Sequence, residues 1–440
     1  MALEILRRRL MARRMAELDA ALSAYAHTTS AGEVVRMQVA AFNAVWSAAR
    51  ARFRFYRYWQ ASNALPDYIV SPNELAKFPA ISKADLQPFA AEIFAESGAR
   101  LRVTTGGSTG EPATFPADAR DLDANYIRAH VGRGWYGIQP CDRMSMVWGH
   151  SHLFGGGWRG WARRYWRRMK DGMVNITRLS AYDLAPSSLE RHGRSLVQSR
   201  PRVVYGYTSA LTSIARHWLL NHPEGSLGNP QLRVIIATSE TIAGADRELL
   251  QRAFGSSVAS EYGLAEAGPV AHSHPSDGNL RVFIRSFLIT QPEDGLLLTT
   301  LERRAFPLIN YATGDTALVN EDHDGSILSI SRIKGREHDM VTINTSVGHR
   351  VVHGEMFTHI LKAIPGVNRF QVRQRIDGSV IISILPAPGA SLGRIAESFH
   401  RELCKEVPDH DLNQMSFAAC EDIPATTSGK ARWIIVENQP

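Results

Sequence analysis

Cysteine is nearly absent from this 440-residue chain, which has Cys141, Cys404 and Cys420, an odd and widely spaced set. These three can build neither a disulfide framework nor a C-x-x-C metal site, and a reducing cytoplasm is the expected setting. Lysine is also rare, with 7 residues beside 43 arginines. A lysine in a glycine-bearing segment therefore stands out, because a compact ammonium and a forked guanidinium are not interchangeable. No run of about 18 apolar residues occurs, and arginines interrupt the segment Met1 to Ala20, so neither a membrane span nor an apolar signal core is expected. An excess of one charge is missing too: 50 basic residues face 43 acidic ones, a net +7 that is mild for this length. Arg7, Arg8, Arg9, Arg13 and Arg14 make the start basic, but no recognition module accompanies them, so nucleic acid is not an expected partner. The phosphate loop G-x-x-x-x-G-K-[ST] does not occur, and neither does an internal repeat.

With 44% hydrophobic and 21% charged residues, the composition is that of a globular protein, and the length calls for two or more domains. Val35, Val39, Phe42 and Trp46 predict a helix from about Gly32 to the aromatic cluster Phe53 to Trp59. Short apolar runs at Met144 to Trp148, Val203 to Tyr205, Val234 to Ala237, Leu296 to Thr300 and Val380 to Leu385 read as strands. Helical stretches at Ser187 to Ser199, Ser209 to Leu220 and Gly244 to Phe254 lie between several of them. The expected fold is α/β: a large N-terminal domain of mixed sheets flanked by helices, 1–337, followed by a small mobile α+β C-terminal domain, 338–440. In the smaller part, helices are expected at Gly354 to Ala363 and Leu392 to Glu406.

The densest chemistry lies in TTGGSTGEP, Thr104 to Pro112. Thr104, Thr105, Ser108 and Thr109 supply hydroxyls, and Gly106, Gly107 and Gly110 let backbone N–H groups close on an anion, phosphate above all. Three further polar clusters follow predicted strands, where α/β proteins commonly bind ligands: EYGLAEAG (Glu261 to Gly268), YATGD (Tyr311 to Asp315) and KGREHD (Lys334 to Asp339). Tyr262 offers a flat face to a base, Asp315 two acceptors to a ribose, Glu266 an oxygen ligand to a hard cation, and Arg336 a forked donor. Together they describe a nucleotide with magnesium. A last segment, PATTSGKAR, brings Lys430 from the far end of the chain.

In this order the motifs resemble those of the adenylate-forming superfamily of acyl-CoA synthetases, peptide-synthetase adenylation domains and luciferases. The likeness spans Arg102 to Arg432 and looks greatest to the phenylacetate-CoA ligase and capsule-biosynthesis branch, through GLLLTTLERRAFPLINYATGD. The resemblance implies an AMP-forming acid ligase. A carboxylate attacks the α-phosphate of ATP, pyrophosphate leaves, and a nucleophile, CoA or else an amine or carrier-protein thiol, displaces AMP. It also implies roles for particular residues. Lys430 would be the adenylation lysine and Glu266 the Mg2+ ligand. Thr104, Thr105, Gly106, Gly107, Ser108, Thr109, Gly110, Glu240, Tyr262, Gly263, Asp315 and Arg336 would bind the nucleotide. Trp148, His150, His152, Phe154, Gly156, Tyr205 and Ala237 would line the acyl pocket. His338 falls at the hinge, where relatives carry an aspartate. Ala265 replaces a threonine and His353 a proline, and Gly348 matches a glycine on the pantetheine path. Two other readings remain open: G-x-S-x-G at Gly106, Ser108 and Gly110 matches a serine hydrolase with Ser108 as nucleophile, and a non-catalytic relative would bind ATP without chemistry. The H-x-H pairs His150/His152 and His272/His274 place two rings on one strand face, which suits zinc or plain hydrogen bonding.

Overall fold

In a computed structural model, residues 15–25, 30–104, 114–148, 165–166, 169–181, 186–292, 295–302, 304–336, 340–346, 348–353, 357, 360–361, 364–407, 410–423 and 434–437 are described. The chain forms two compact units, 1–313 with 317–333 and 314–316 with 334–440. Among the described residues no helix is long and apolar enough to cross a membrane.

The larger unit is built on a nine-stranded mixed sheet. Its strands are β1 (Met144–Trp148), β2 (Ile176–Ser180), β3 (Val203–Tyr207), β4 (Val234–Thr238), β5 (Ser257–Leu264), β6 (Gly268–Ser273), β7 (Leu280–Val282), β8 (Asp315–His323) and β9 (Ser326–Arg336), in the spatial order β8-β9-β7-β6-β5-β4-β3-β1-β2. β2, β1, β3, β4 and β5 run parallel, each pair in continuous register. Buried on both faces, β3 and β4 read as the unbroken apolar runs VVYGY and VIIAT, as parallel strands do. Helices α1 (Pro186–Ser199), α2 (Thr208–Asn221) and α3 (Gly244–Phe254) are the crossovers. They cover one face through a core that includes Leu196, Leu211, Ile214 and Leu250.

The order β2-β1-β3 reverses direction at β1, so the carboxyl ends of β1 and β3 flank a topological switch point, where open α/β sheets leave a crevice. Their approach is close. A Cβ on Gly206 would stand 2.6 Å from the Val147 carbonyl oxygen, so Gly206→Ala is expected to force β1 and β3 apart. The expected loss is about 1–3 kcal/mol of stability, read by thermal denaturation; an unchanged midpoint would contradict the close approach.

The helix expected from about Gly32 to the aromatic cluster is present. It runs Ala31–Arg52, opened by a Ser30/Glu33 capping box, and stops at Phe53, whose backbone is extended. A second helix, Arg54–Asn63, then begins. The break buries the Phe53 ring edge-on against Phe306, with centroids 5.1 Å apart, inside an aromatic core that includes Phe42, Trp46, Tyr56 and Phe78.

The smaller unit holds a four-stranded mixed sheet of Met415–Ala419, Val380–Pro386, Val367–Gln374 and Ile434–Val436, with the helix Leu392–Glu406, and a separate pair Met340–Thr345/Gly348–His353. Phe357, Phe370, Phe399 and Leu403 share its core. Mixed sheets with covering helices, followed by a small α+β unit, match the fold class expected from the sequence.

Candidate active site

The strands on either side of the hydroxyl and glycine segment pair with each other. Leu101–Thr104 pairs antiparallel with Thr114–Ala117, closing at Thr104↔Thr114. The loop residues Thr105, Gly106, Gly107, Ser108, Thr109 and Gly110 lie outside the described residues, as does the Thr104 side chain. What the hairpin packs against is described: Phe115 meets Tyr311 edge-on at 6.1 Å.

Tyr311 opens YATGD, and its hydroxyl donates to Glu266 Oε1 at 2.6 Å. Lys83 Nζ lies 3.9 Å from the same oxygen, and the Glu266 side chain is only 4% exposed. Three stretches remote in sequence, the loop hairpin, EYGLAEAG and YATGD, therefore converge on one carboxylate. The clusters were expected just after strands, but EYGLAEAG begins inside β5 and is itself a hairpin, with Glu261↔His272 and Leu264↔Gly268 paired across it. Gly268 takes φ +77° at the turn, which favours glycine. The register slips between Tyr262 and Gly263, a bulge of the kind that re-aims side chains beside active sites. Tyr262 itself is half-buried against the main core.

Two arginines brace this turn, and sequence reading missed both. On the helix Ala119–Gly134, Arg128 donates to the Ala267 carbonyl at 3.0 Å, and Arg304 donates to the same carbonyl at 3.1 Å. Arg304 Nε also pairs with the buried Asp121 at 3.0 Å. Arg304 sits within the LERRAF stretch, but it gains meaning only beside a helix about 180 residues earlier.

At the switch point, Trp148 stacks on Tyr205 with centroids 5.3 Å apart and planes 10° from parallel, and it meets Tyr207 at 4.4 Å. Tyr205 donates to Glu261 Oε1 at 2.8 Å, and Arg133 lies over the Tyr205 ring, 4.9 Å from its centroid. Of the residues expected in an acyl pocket, Trp148 and Tyr205 are brought together. On β4, Ile236 shares a cluster with Tyr205, while Ile235 belongs to the helix-covered one. Strand alternation puts Ala237 on the Ile235 side. His150, His152, Phe154 and Gly156 lie outside the described residues.

Glu240 follows Ser239, which adopts φ +68°, an uncommon conformation for a non-glycine residue. Its carboxylate accepts from the Ser209 amide at 2.6 Å and the Ser209 hydroxyl at 2.9 Å, organising the first turn of α2. Asp315 is buried at the start of β8. Arg336 ends β9, and its side chain is outside the described residues. So are His338 and Lys430. Gly348 stands at a strand turn with open space around it. Of the H-x-H pairs, His272 and His274 both pack on Trp135, at 6.1 and 5.2 Å. Burial holds His272 below its ordinary value, so the ring is neutral, and Nδ1 donates to the Ser273 carbonyl at 2.9 Å. Among the described residues no group of three or more His, Cys, Asp or Glu could hold a metal. Glu266 as a single carboxylate still suits magnesium, which is commonly held by one or two carboxylates plus substrate phosphates.

No family model matches the sequence. Protein CapK of Staphylococcus aureus is 23% identical over 410 residues, covering 87% of this chain and 86% of CapK. A phenylacetate-coenzyme A ligase of Aromatoleum evansii is 26% identical over 430 residues, covering 89% and 92%. The crystal structure of 2-hydroxyisobutyryl-CoA ligase in the postadenylation state superposes with a TM-score of 0.68 at 17% identity, over 91% of this chain and 89% of that one. Relatives of this kind across nearly the whole length, together with a fold shared with such a ligase, are what the chain is similar to, and they support a member of the adenylate-forming superfamily.

Proposed function

We propose that this protein activates a carboxylic acid with ATP and passes the acyl group to CoA. The observation that supports this best is the convergence of the loop hairpin, Tyr311 and the buried Glu266. In the first half-reaction a carboxylate oxygen of the acid attacks the α-phosphorus, the bond to pyrophosphate breaks, and an acyl-adenylate forms. In the second, a thiolate attacks the acyl carbon and AMP leaves with the bonding electrons.

The chain's own residues divide this work. The amides and hydroxyls of 104–110 wrap the phosphates, and Glu266 would hold magnesium, which when bound supplies charge neutralisation on the phosphate oxygens. The Tyr311 hydroxyl orients that carboxylate, and the Arg128 and Arg304 bonds to Ala267 fix the turn that carries it. Asp315 and Arg336 take the ribose, Tyr262 the adenine. Lys430 bridges the acid carboxylate and the α-phosphate, and His338 is the hinge about which residues 338–440 turn between the half-reactions.

Exchange of labelled pyrophosphate into ATP across a carboxylate panel tests the first step, and thioester formation with added CoA tests the acceptor. Exchange with no acid sinks the adenylation reading; exchange without thioester redirects the second step to an amine or a carrier-protein thiol. Glu266→Gln keeps the Tyr311 hydrogen bond but removes the charge. The magnesium concentration for half-maximal exchange is then expected to rise about tenfold or more, a loss equivalent to about 1.4 kcal/mol; an unchanged magnesium dependence would remove Glu266 from the metal site.

A further inference from the structure

Glu261 stands midway along β5, on the same sheet face as Tyr205, and is only 8% exposed. One oxygen accepts the Tyr205 hydroxyl at 2.8 Å. The other, Oε2, is buried and has no hydrogen-bond partner among the described residues. A buried carboxylate oxygen left in that state is costly and asks for an explanation. His272, its cross-strand neighbour, does not supply a partner. It is neutral and directs its Nδ1 proton to the Ser273 carbonyl, and its own Nε2 is also without a partner among the described residues.

The surroundings restrict what Oε2 can receive. Trp148, stacked on Tyr205 and in contact with Tyr207, ends β1 beside the switch point and offers a flat apolar face of the kind that suits an aromatic ring. Arg133 lies over the Tyr205 ring and is itself 8% exposed. Its positive charge balances that of Glu261 across the tyrosine. A cationic guest would upset that balance, whereas a neutral O–H or N–H donor adds no uncompensated charge. Building on the adenylation reading, we propose that Glu261 makes this site selective for an aromatic carboxylic acid carrying a hydroxyl or amino group on its ring. The ring lies beside Trp148, and its substituent donates to Glu261 Oε2.

The test compares matched acids in pyrophosphate exchange: benzoate, 3- and 4-hydroxybenzoate, 4-aminobenzoate and 4-methoxybenzoate, with phenylacetate and 4-hydroxyphenylacetate. kcat/KM is measured for the natural chain, Glu261→Gln and Glu261→Leu. A site with an acceptor waiting for a donor rejects analogues that lack one, by up to about 10⁴-fold. A preference of about 100-fold or more for the best donor acid over its unsubstituted and methoxy partners is expected in the natural chain. In Glu261→Leu it should shrink to less than about tenfold, and in Glu261→Gln, which keeps an acceptor, it should fall between. The ratio is taken within one preparation, so it is insensitive to how much of a variant folds. Donor and donor-less acids used within about threefold of one another, a ratio that survives in Glu261→Leu, or exchange confined to aliphatic acids each overturn the assignment while leaving adenylation standing. Exchange with no acid at all overturns adenylation, and the assignment falls with it.

Discussion

Replacing Lys430 with alanine is expected to lower acid-dependent pyrophosphate exchange by about 100- to 1000-fold, the usual effect of removing one positioned donor from a developing anion. The reason is electrostatic. When the carboxylate oxygen closes on the α-phosphorus, two negatively charged groups meet, and an ammonium between them is worth most at that moment. Arginine, plentiful in this chain, is a poor substitute because its planar fork demands a different geometry, so Lys430→Arg is expected to lose nearly as much. Supplied with a preformed acyl-adenylate, Lys430→Ala should still deliver the acyl group to CoA, because that step transfers an already activated carbonyl. Full exchange activity in the alanine variant would end the role proposed for Lys430.

The largest stability effect is expected at Arg304. Its guanidinium faces Asp121 at 3.0 Å with side-chain exposures of 8% and 3%, and the same Asp121 accepts from the amides of Asp118 and Ala305. Arg304→Ala leaves a buried carboxylate without its countercharge, a change that costs about 3–5 kcal/mol. A fall of several degrees or more in the melting temperature of the larger unit should follow. Asp121→Asn in the same background should recover part of the loss, because the orphaned charge is then gone. The effect should also reach chemistry, since Arg304 and Arg128 share the Ala267 carbonyl one residue beyond Glu266: at temperatures where the variant is folded, its magnesium requirement should move in the direction seen for Glu266→Gln. A melting temperature within a degree of the natural chain would show that the pair contributes nothing, and an unchanged magnesium requirement would detach the brace from the metal.

Much of this could be read along the chain. TTGGSTGEP, YATGD and PATTSGKAR are local combinations in which glycine freedom, hydroxyls and one rare lysine stand next to each other, so their chemistry survives without coordinates. The parallel strands were equally plain, because double burial makes VVYGY and VIIAT continuous apolar runs. What escaped were pairings at long range. Arg128 and Arg304 are two arginines among 43 until the fold sets both on one carbonyl. Ala237 was expected in the pocket from the resemblance, and only the strand register shows that it alternates to the sheet face opposite Tyr205. Glu261 went unassigned as the first letter of a motif whose known letters come later. The second helix that carries the aromatic cluster, Arg54–Asn63, was not read from the sequence.

The amino-acid sequence by itself determined the α/β class and which glycines, hydroxyls and rare lysines stand next to one another, since these depend on periodicity and on side chains adjacent in the chain. Tertiary structure decided which carboxylate is clamped, which aromatic faces flank the switch point, and that one buried oxygen of Glu261 lacks a partner among the described residues. Those facts depend on distances between residues tens to hundreds of positions apart, and only the packing of sheet, hairpin and helix sets such distances.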